Sequence, residues 1–180
     1  MRKLYLTTGQ SKFYLFGKNK ITKVCDHIWE EDRYHLYKKF REMHPYCVNV
    51  VKWVSDNEIQ MEKLDIAFTV DDILQYGAFD LHPKLTKERL HRAVLFFQQV
   101  QIDFLNFSIQ ELPEGKYFYH TDTHLLNFVF TTDDEIKLID PNSFQITTQF
   151  VNTEYTTYFN RLMWRAHLTM QRLDTGKKYV

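Results

Sequence analysis

The sequence is poor in the residues that crosslink, punctuate or charge a chain. Its two cysteines, Cys25 and Cys47, are too few and too far apart to suggest a zinc site or a disulfide framework, and they fit reduced thiols in a cytoplasmic protein. Its 23 basic residues are cancelled by 23 acidic ones, so no net field draws the chain to nucleic acid or an anionic membrane. No apolar run approaches the roughly 20 residues of a membrane span, and no signal-peptide h-region stands at the N-terminus. Five glycines and four prolines form no repeat and no low-complexity tract, and none of the glycines belongs to a G-x-G-x-x-G loop. What is abundant is core material. Of 180 residues, 44% are hydrophobic and 16% aromatic, enough to bury one compact unit with room for two lobes.

Taken in order, alternating residues 3–7, 13–16 and 21–24 predict three strands, the last two joined by a turn at 17–20. Residues 27–43 carry Ile28, Trp29, Leu36, Tyr37, Phe40 and Met43 near helical spacing, with Asp26 as N-cap and His44-Pro45 as the stop. Two further strands are predicted over 48–54 and 59–64. Thr69 is placed to cap a short helix within 66–76, and Thr86 opens the clearest helix of the chain. There Leu90, Ala93, Val94, Phe97, Val100, Phe104 and Phe107 form an apolar stripe, which Leu95 and Phe96 widen. Asn152 begins a last helix carrying Tyr155, Phe159, Leu162, Ala166, Met170 and Leu173, which ends near Gly176.

The chemistry is concentrated in 117–144. His120, Asp122 and Asn127 are spaced as H-x-D-x-x-x-x-N after a short aromatic strand, and Asp140 ends the apolar run 136–139. The apolar runs 128–130 and 136–139 flank a polar turn, so pairing them as a hairpin would fold Asp140 back towards Asn127 and Asp122. A carboxylate and an amide oxygen are hard donors that suit Mg²⁺ with substrate phosphates, and a further, uncoordinated carboxylate can take the proton of an attacking hydroxyl.

That constellation resembles the catalytic core of the protein-kinase-like superfamily. His120-Thr121-Asp122-Thr123-His124-Leu125-Leu126-Asn127 is closest to the H-x-D-x-H-x-x-N of aminoglycoside phosphotransferases and choline kinases. The resemblance implies an α+β, two-lobed fold: an N-lobe over 1–61 with a five-stranded antiparallel sheet and one helix, a hinge at 62–65, and a reduced, mainly helical C-lobe over 66–180. It implies Asp122 as catalytic base, His120 as a brace for the loop, and Asn127 and Asp140 as Mg²⁺ ligands. Lys23 would meet the phosphates of ATP and pair with Glu30 or Glu31 of the following helix, Glu31 being preferred. Gly9 would cover the phosphates, and the backbone at Met61, Glu62 and Leu64 would receive adenine. The implied reaction is transfer of the γ-phosphoryl group to a hydroxyl, most simply of a small molecule.

Three departures qualify what the resemblance implies. The glycine loop is missing, Asp140-Pro141-Asn142 stands where D-F-G is usual, and little chain follows Asp140 to build a substrate platform. A partner chain or a second copy would then complete the short C-lobe. Two other readings follow from the same residues: a pseudokinase that binds nucleotide or protein without turnover, and a non-haem iron oxygenase using His120, Asp122 and either His124 or His167. His124 itself reads as structural.

Overall fold

The early alternation becomes a five-stranded antiparallel sheet. In the computed structural model, residues 3–8, 11–25, 30–75, 84, 86–122, 124–149 and 152–175 are described. Strands β1 (Lys3–Thr8), β2 (Ser11–Leu15), β3 (Lys20–Val24), β4 (Val50–Ser55) and β5 (Glu58–Glu62) lie in the order β1-β2-β3-β5-β4. Gly17, at φ 73°, supplies the left-handed residue that the β2–β3 turn needs. Strand β3 is central, and Ile21, Thr22 and Lys23 are all buried on it. Glu62 belongs to β5, so the connector expected at 62–65 opens on the last residue of a strand.

Helix α1 (Glu31–Met43) ends where His44-Pro45 was expected to stop it, with the His44 N–H donating to Phe40 O. The helix begins at Glu31 and not at the expected 27, with Glu30 in place of Asp26 at its N-cap and no side-chain cap bond, because the backbone at Glu30 is still extended. The helix is fastened to the rest of the chain by aromatic packing. The Phe40 ring is fully buried and lies 5.2 Å from Phe104, 5.0 Å from Phe107, 5.6 Å from Phe118 and 5.7 Å from Phe144, centroid to centroid. Each such pair adds about 0.5–1.5 kcal/mol to the burial of its area. Tyr37 is buried too, and its hydroxyl donates to Val48 O at 2.6 Å.

The second part is built on α3 (Lys87–Glu111), capped as expected by Thr86, whose side chain accepts from the Arg89 N–H. The expected stripe is its buried face. Leu90, Ala93, Phe97, Val100, Phe104 and Phe107 are buried and Val94 is half-buried, while Leu95 lies half exposed. Helix α4 (Asn152–Thr175) packs on α3 through Leu162 and Ala166, with Phe97 and Phe159 stacked at 6.0 Å. Its expected stop at Gly176 lies outside the described residues. Helix α2 (Val70–Gln75) has the Thr69 cap, elaborated into a reciprocal box: the Thr69 N–H donates to Asp72 Oδ2 and the Asp72 N–H to Thr69 Oγ1.

Four short strands that follow α3 in the chain, with one that precedes it, carry the motif residues. Strands β8 (Phe128–Thr131) and β9 (Ile136–Leu138) form the expected hairpin, and β6 (Ile66–Thr69) adds to its other edge. Strand β7 (Tyr117–His120) pairs with β10 (Phe144–Thr147) in a ribbon beside α3. Strands β6 and β10 are additions to the sequence reading. No helix among the described residues is long and apolar enough to cross a membrane.

Candidate active site

A cavity of about 930 Å³ opens between the five-stranded sheet and the second part. Lys23 enters it from β3, Met61, Glu62 and Leu64 from the end of β5 and the connector, and Asp122, Asn127 and Asp140 from the motif stretch. Hairpin register brings the motif together. Phe128 stands opposite Leu138, and the Ile139 N–H donates to Asn127 O at 2.9 Å, which sets Asp140 beside the Asn127 backbone. Asn127 Nδ2 donates to Asp122 O at 2.7 Å, closing the loop between them and leaving Oδ1 as that side chain's open acceptor.

His120 lies behind the cavity, fully buried. Its Nε2 is 3.0 Å from both Ile139 O and Asp140 O, so an Nε2–H shared between them ties the end of β7 to the backbone at Asp140. Burial lowers its pKa, against the opposing charge of Asp140 and the backbone hydrogen bonds, so the ring is neutral near pH 7. His124 is exposed, with Nε2 3.5 Å from Asp122 Oδ1.

Asp140 is held in a left-handed conformation, φ 65° and ψ 62°, where residues other than glycine are uncommon and the surroundings must over-determine the backbone. Those surroundings are visible. A 3-10 turn at Pro141–Ser143 follows directly, Ser143 Oγ donates to Asp140 Oδ2, and Thr121 donates through both N–H and Oγ1 to Ser143 O. Lys23 Nζ donates to Asp140 Oδ1 and to Asn142 Oδ1. Burial pushes the Asp140 carboxyl up, but the Lys23 charge and the hydrogen bonds from Lys23 and Ser143 outweigh it and hold the group below the usual carboxylate range.

Not every expected residue arrives. Glu31 starts α1 with its side chain 62% exposed, 3.8 Å from His35 on the same helix, so the lysine pairs with Asp140 instead of the preferred Glu31. Glu30 is exposed as well. Gly9 lies outside the described residues. The iron triad is not assembled: His167 is exposed on α4 with Nε2 2.9 Å from Gln171, and His120 Nε2 faces backbone carbonyls. Among the described residues, no group of three or more His, Cys, Asp or Glu is arranged to hold a metal. Asn127 and Asp140 contribute two hard oxygen donors to the cavity lining, a sparse set that would suit Mg²⁺ if phosphates and water filled its remaining positions. In the connector, the Glu62 and Lys63 N–H groups are spent on Asn49 O and Asn19 O, whereas Leu64 N–H makes no backbone hydrogen bond among the described residues.

Sequence reasoning missed Asn142 and Ser143. Their only signal was the unusual Asp140-Pro141-Asn142, read as a departure and not as a functional segment.

No family model matches the chain, and no curated protein does. Solved structures do. The kinase PK-1 of Cydia pomonella granulovirus superposes over 81% of this chain and 55% of its own, with a TM-score of 0.55 at 11% identity. The chain has a protein-kinase-like fold. It spans little more than half the length of that viral kinase. A choline/ethanolamine kinase family protein from Mesorhizobium loti covers 94% of this kinase-like chain and 69% of its own, with a TM-score of 0.47 at 8% identity. The antiparallel sheet with α1 and the mainly helical part that follows it fit that fold, with the cavity between them.

Proposed function

We propose that the chain is a kinase-like phosphotransferase that binds ATP with Mg²⁺ and moves the γ-phosphoryl group to a hydroxyl of a small-molecule acceptor. One observation carries this reading: Lys23 and Asp140, 117 positions apart, meet on the wall of one cavity that also receives Asp122 and Asn127. Ordinary loop carboxylates have no reason to converge with a buried lysine in a cleft of this size. The apolar Ile21, Val48 and Met61 would take the adenine ring, with Leu64 N–H as its donor. Asn127 and Asp140 would hold Mg²⁺, which supplies charge neutralisation on the phosphates when bound. Lys23 contributes a further positive charge at the phosphate position, in a cleft where water screens it little. Asp122 orients the acceptor hydroxyl and accepts its proton as the new O–P bond forms and the bond from the γ-phosphorus to the bridging oxygen breaks.

The exposed Glu31 favours a second reading, a nucleotide-binding module without turnover. The buried cysteines Cys25 and Cys47 suit a reducing, cytoplasmic setting. Asp122→Ala separates the two readings. In the phosphotransferase it abolishes ATP turnover in an acceptor screen while sparing MgATP affinity; wild-type protein that binds MgATP but turns over no acceptor, or a variant as active as wild type, counts against the enzyme.

A further inference from the structure

The lysine of this site meets the turn after Asp140 and not the first turn of α1. Glu31 is turned to solvent and to His35, and Lys23 is 3% exposed, over the Phe13 ring at 5.6 Å, with side-chain oxygens of Asp140 and Asn142 as its acceptors. Asp140 is shared already, because its other oxygen accepts from Ser143, and on the phosphotransferase reading it must also serve the metal. A buried ammonium that yields its carboxylate to a metal needs a second fixed acceptor, or it pays the cost of desolvation unpaired. Asn142 is the acceptor in place. We propose that Asn142 is the positioning residue of Lys23, performing from the 3-10 turn after Asp140 the part that a glutamate of α1 was expected to perform; this rests on the phosphotransferase reading.

Two physical consequences follow from the change of partner. An amide oxygen directs the ammonium without neutralising it, so the full charge of Lys23 remains for the phosphates. The anchor also belongs to the segment that carries Asp140. The Ser143 N–H donates to Asp140 O at 3.1 Å, and Ser143 O is held by Thr121 N–H at 2.8 Å and Thr121 Oγ1 at 2.9 Å. Both acceptors of the lysine, the metal-site carboxylate and Asn142, therefore belong to one turn, and no glutamate of α1 is needed to place the ammonium.

The test is MgATP affinity by calorimetry for the wild type, Asn142→Ala, Asn142→Asp and Glu31→Gln, with Asn142→Ala repeated in a Lys23→Met background. A hydrogen bond to a charged group is worth enough that Asn142→Ala should weaken MgATP about ten-fold or more. Asn142→Asp keeps an oxygen acceptor but neutralises the ammonium, so it should recover only part of the loss, which a merely misfolded turn would not allow. Glu31→Gln should bind as wild type, and Asn142→Ala should add nothing once Lys23 is gone. The proposal is overturned if Asn142→Ala binds as wild type, if Glu31→Gln suffers the ten-fold loss, or if the Asn142→Ala loss persists without Lys23. Wild-type protein that fails to bind MgATP at all refutes the phosphotransferase reading itself, a different result from a wild type that binds beside a silent Asn142 variant.

Discussion

Lys23→Met removes a buried charge while keeping the volume of the side chain, and its effect on stability should reverse the pH behaviour of Asp140. In the wild type the Asp140 carboxyl lies below its ordinary range because Lys23 and Ser143 outweigh burial. A carboxyl with a depressed folded pKa contributes stability that is present above its unfolded value of about 3.9 and is lost as pH falls through the folded value. Without Lys23, burial becomes the dominant influence and raises the folded pKa above the unfolded one. The ionised carboxylate then opposes folding at neutral pH, and stability is regained as pH falls towards the unfolded value. Breaking a buried pair by deleting one partner costs about 3–5 kcal/mol. The Asp140 side chain keeps 22% exposure and its Ser143 hydrogen bond, which places this case at the low end. A loss of about 3 kcal/mol lowers the melting temperature of a chain this size by roughly 6–12 °C. Thermal melts of both proteins between pH 4 and 8 should show the gap widest near neutrality and shrinking towards pH 4. A variant as stable as wild type at pH 7, or a gap that stays constant or widens on acidification, refutes the reasoning.

Two further outcomes are expected. His120 and His44 both have pKa values lowered by burial, so their stability contribution is complete above about pH 6.5 and falls as pH drops below it; His120→Asn should flatten the melting-temperature profile between pH 5 and 7 while the share of His44 persists, and an unchanged slope would contradict a buried neutral His120. Phe40→Ala empties the centre of the aromatic cluster that joins α1 to α3, β7 and β10, and urea unfolding should show a loss of about 3–5 kcal/mol; a loss below about 1 kcal/mol would mean that α1 is held by something else.

Local signals carried most of the fold. Strands 1–5, α1, α3 and α4 announced themselves by period and by caps, and the Thr69 and Thr86 caps lie where the hydroxyl pattern put them. The hairpin of β8 and β9 was legible because its turn is polar and its flanks are apolar, and it was enough to bring Asp140 to Asn127. What escaped depends on distant pairing. Ile66–Thr69 is four residues long and became a strand only because Phe68 and Thr69 found Phe130 and Val129, far along the chain. Phe144–Thr147 similarly depends on Tyr117–His120. Asp103, buried in the middle of the α3 stripe, was hidden for much the same reason: beside Gln99 on its own helix (2.8 Å), its partners Tyr46 (2.8 Å) and His44 (3.3 Å) come from the loop after α1. Within the site, the triplet of Asp122, Asn127 and Asp140 was readable from spacing. The choice between Glu31 and Asn142 as the neighbour of Lys23 was not, because a lone helix acid and a lone loop amide carry no signal of which way the lysine turns.

The measurement that bears most directly on the central claim is the melting temperature of the wild type and of Asp140→Ala with ATP, in the presence and absence of Mg²⁺. A ligand that binds only the folded protein stabilises it by about 2.7 kcal/mol at a hundred times its dissociation constant, whether or not an acceptor is known. A rise of roughly 5–11 °C is expected for the wild type with MgATP, with a smaller rise when Mg²⁺ is withheld and little Mg²⁺-dependent gain in Asp140→Ala. Equal melting temperatures with and without nucleotide, or a Mg²⁺-dependent rise that survives the loss of Asp140, would contradict that claim.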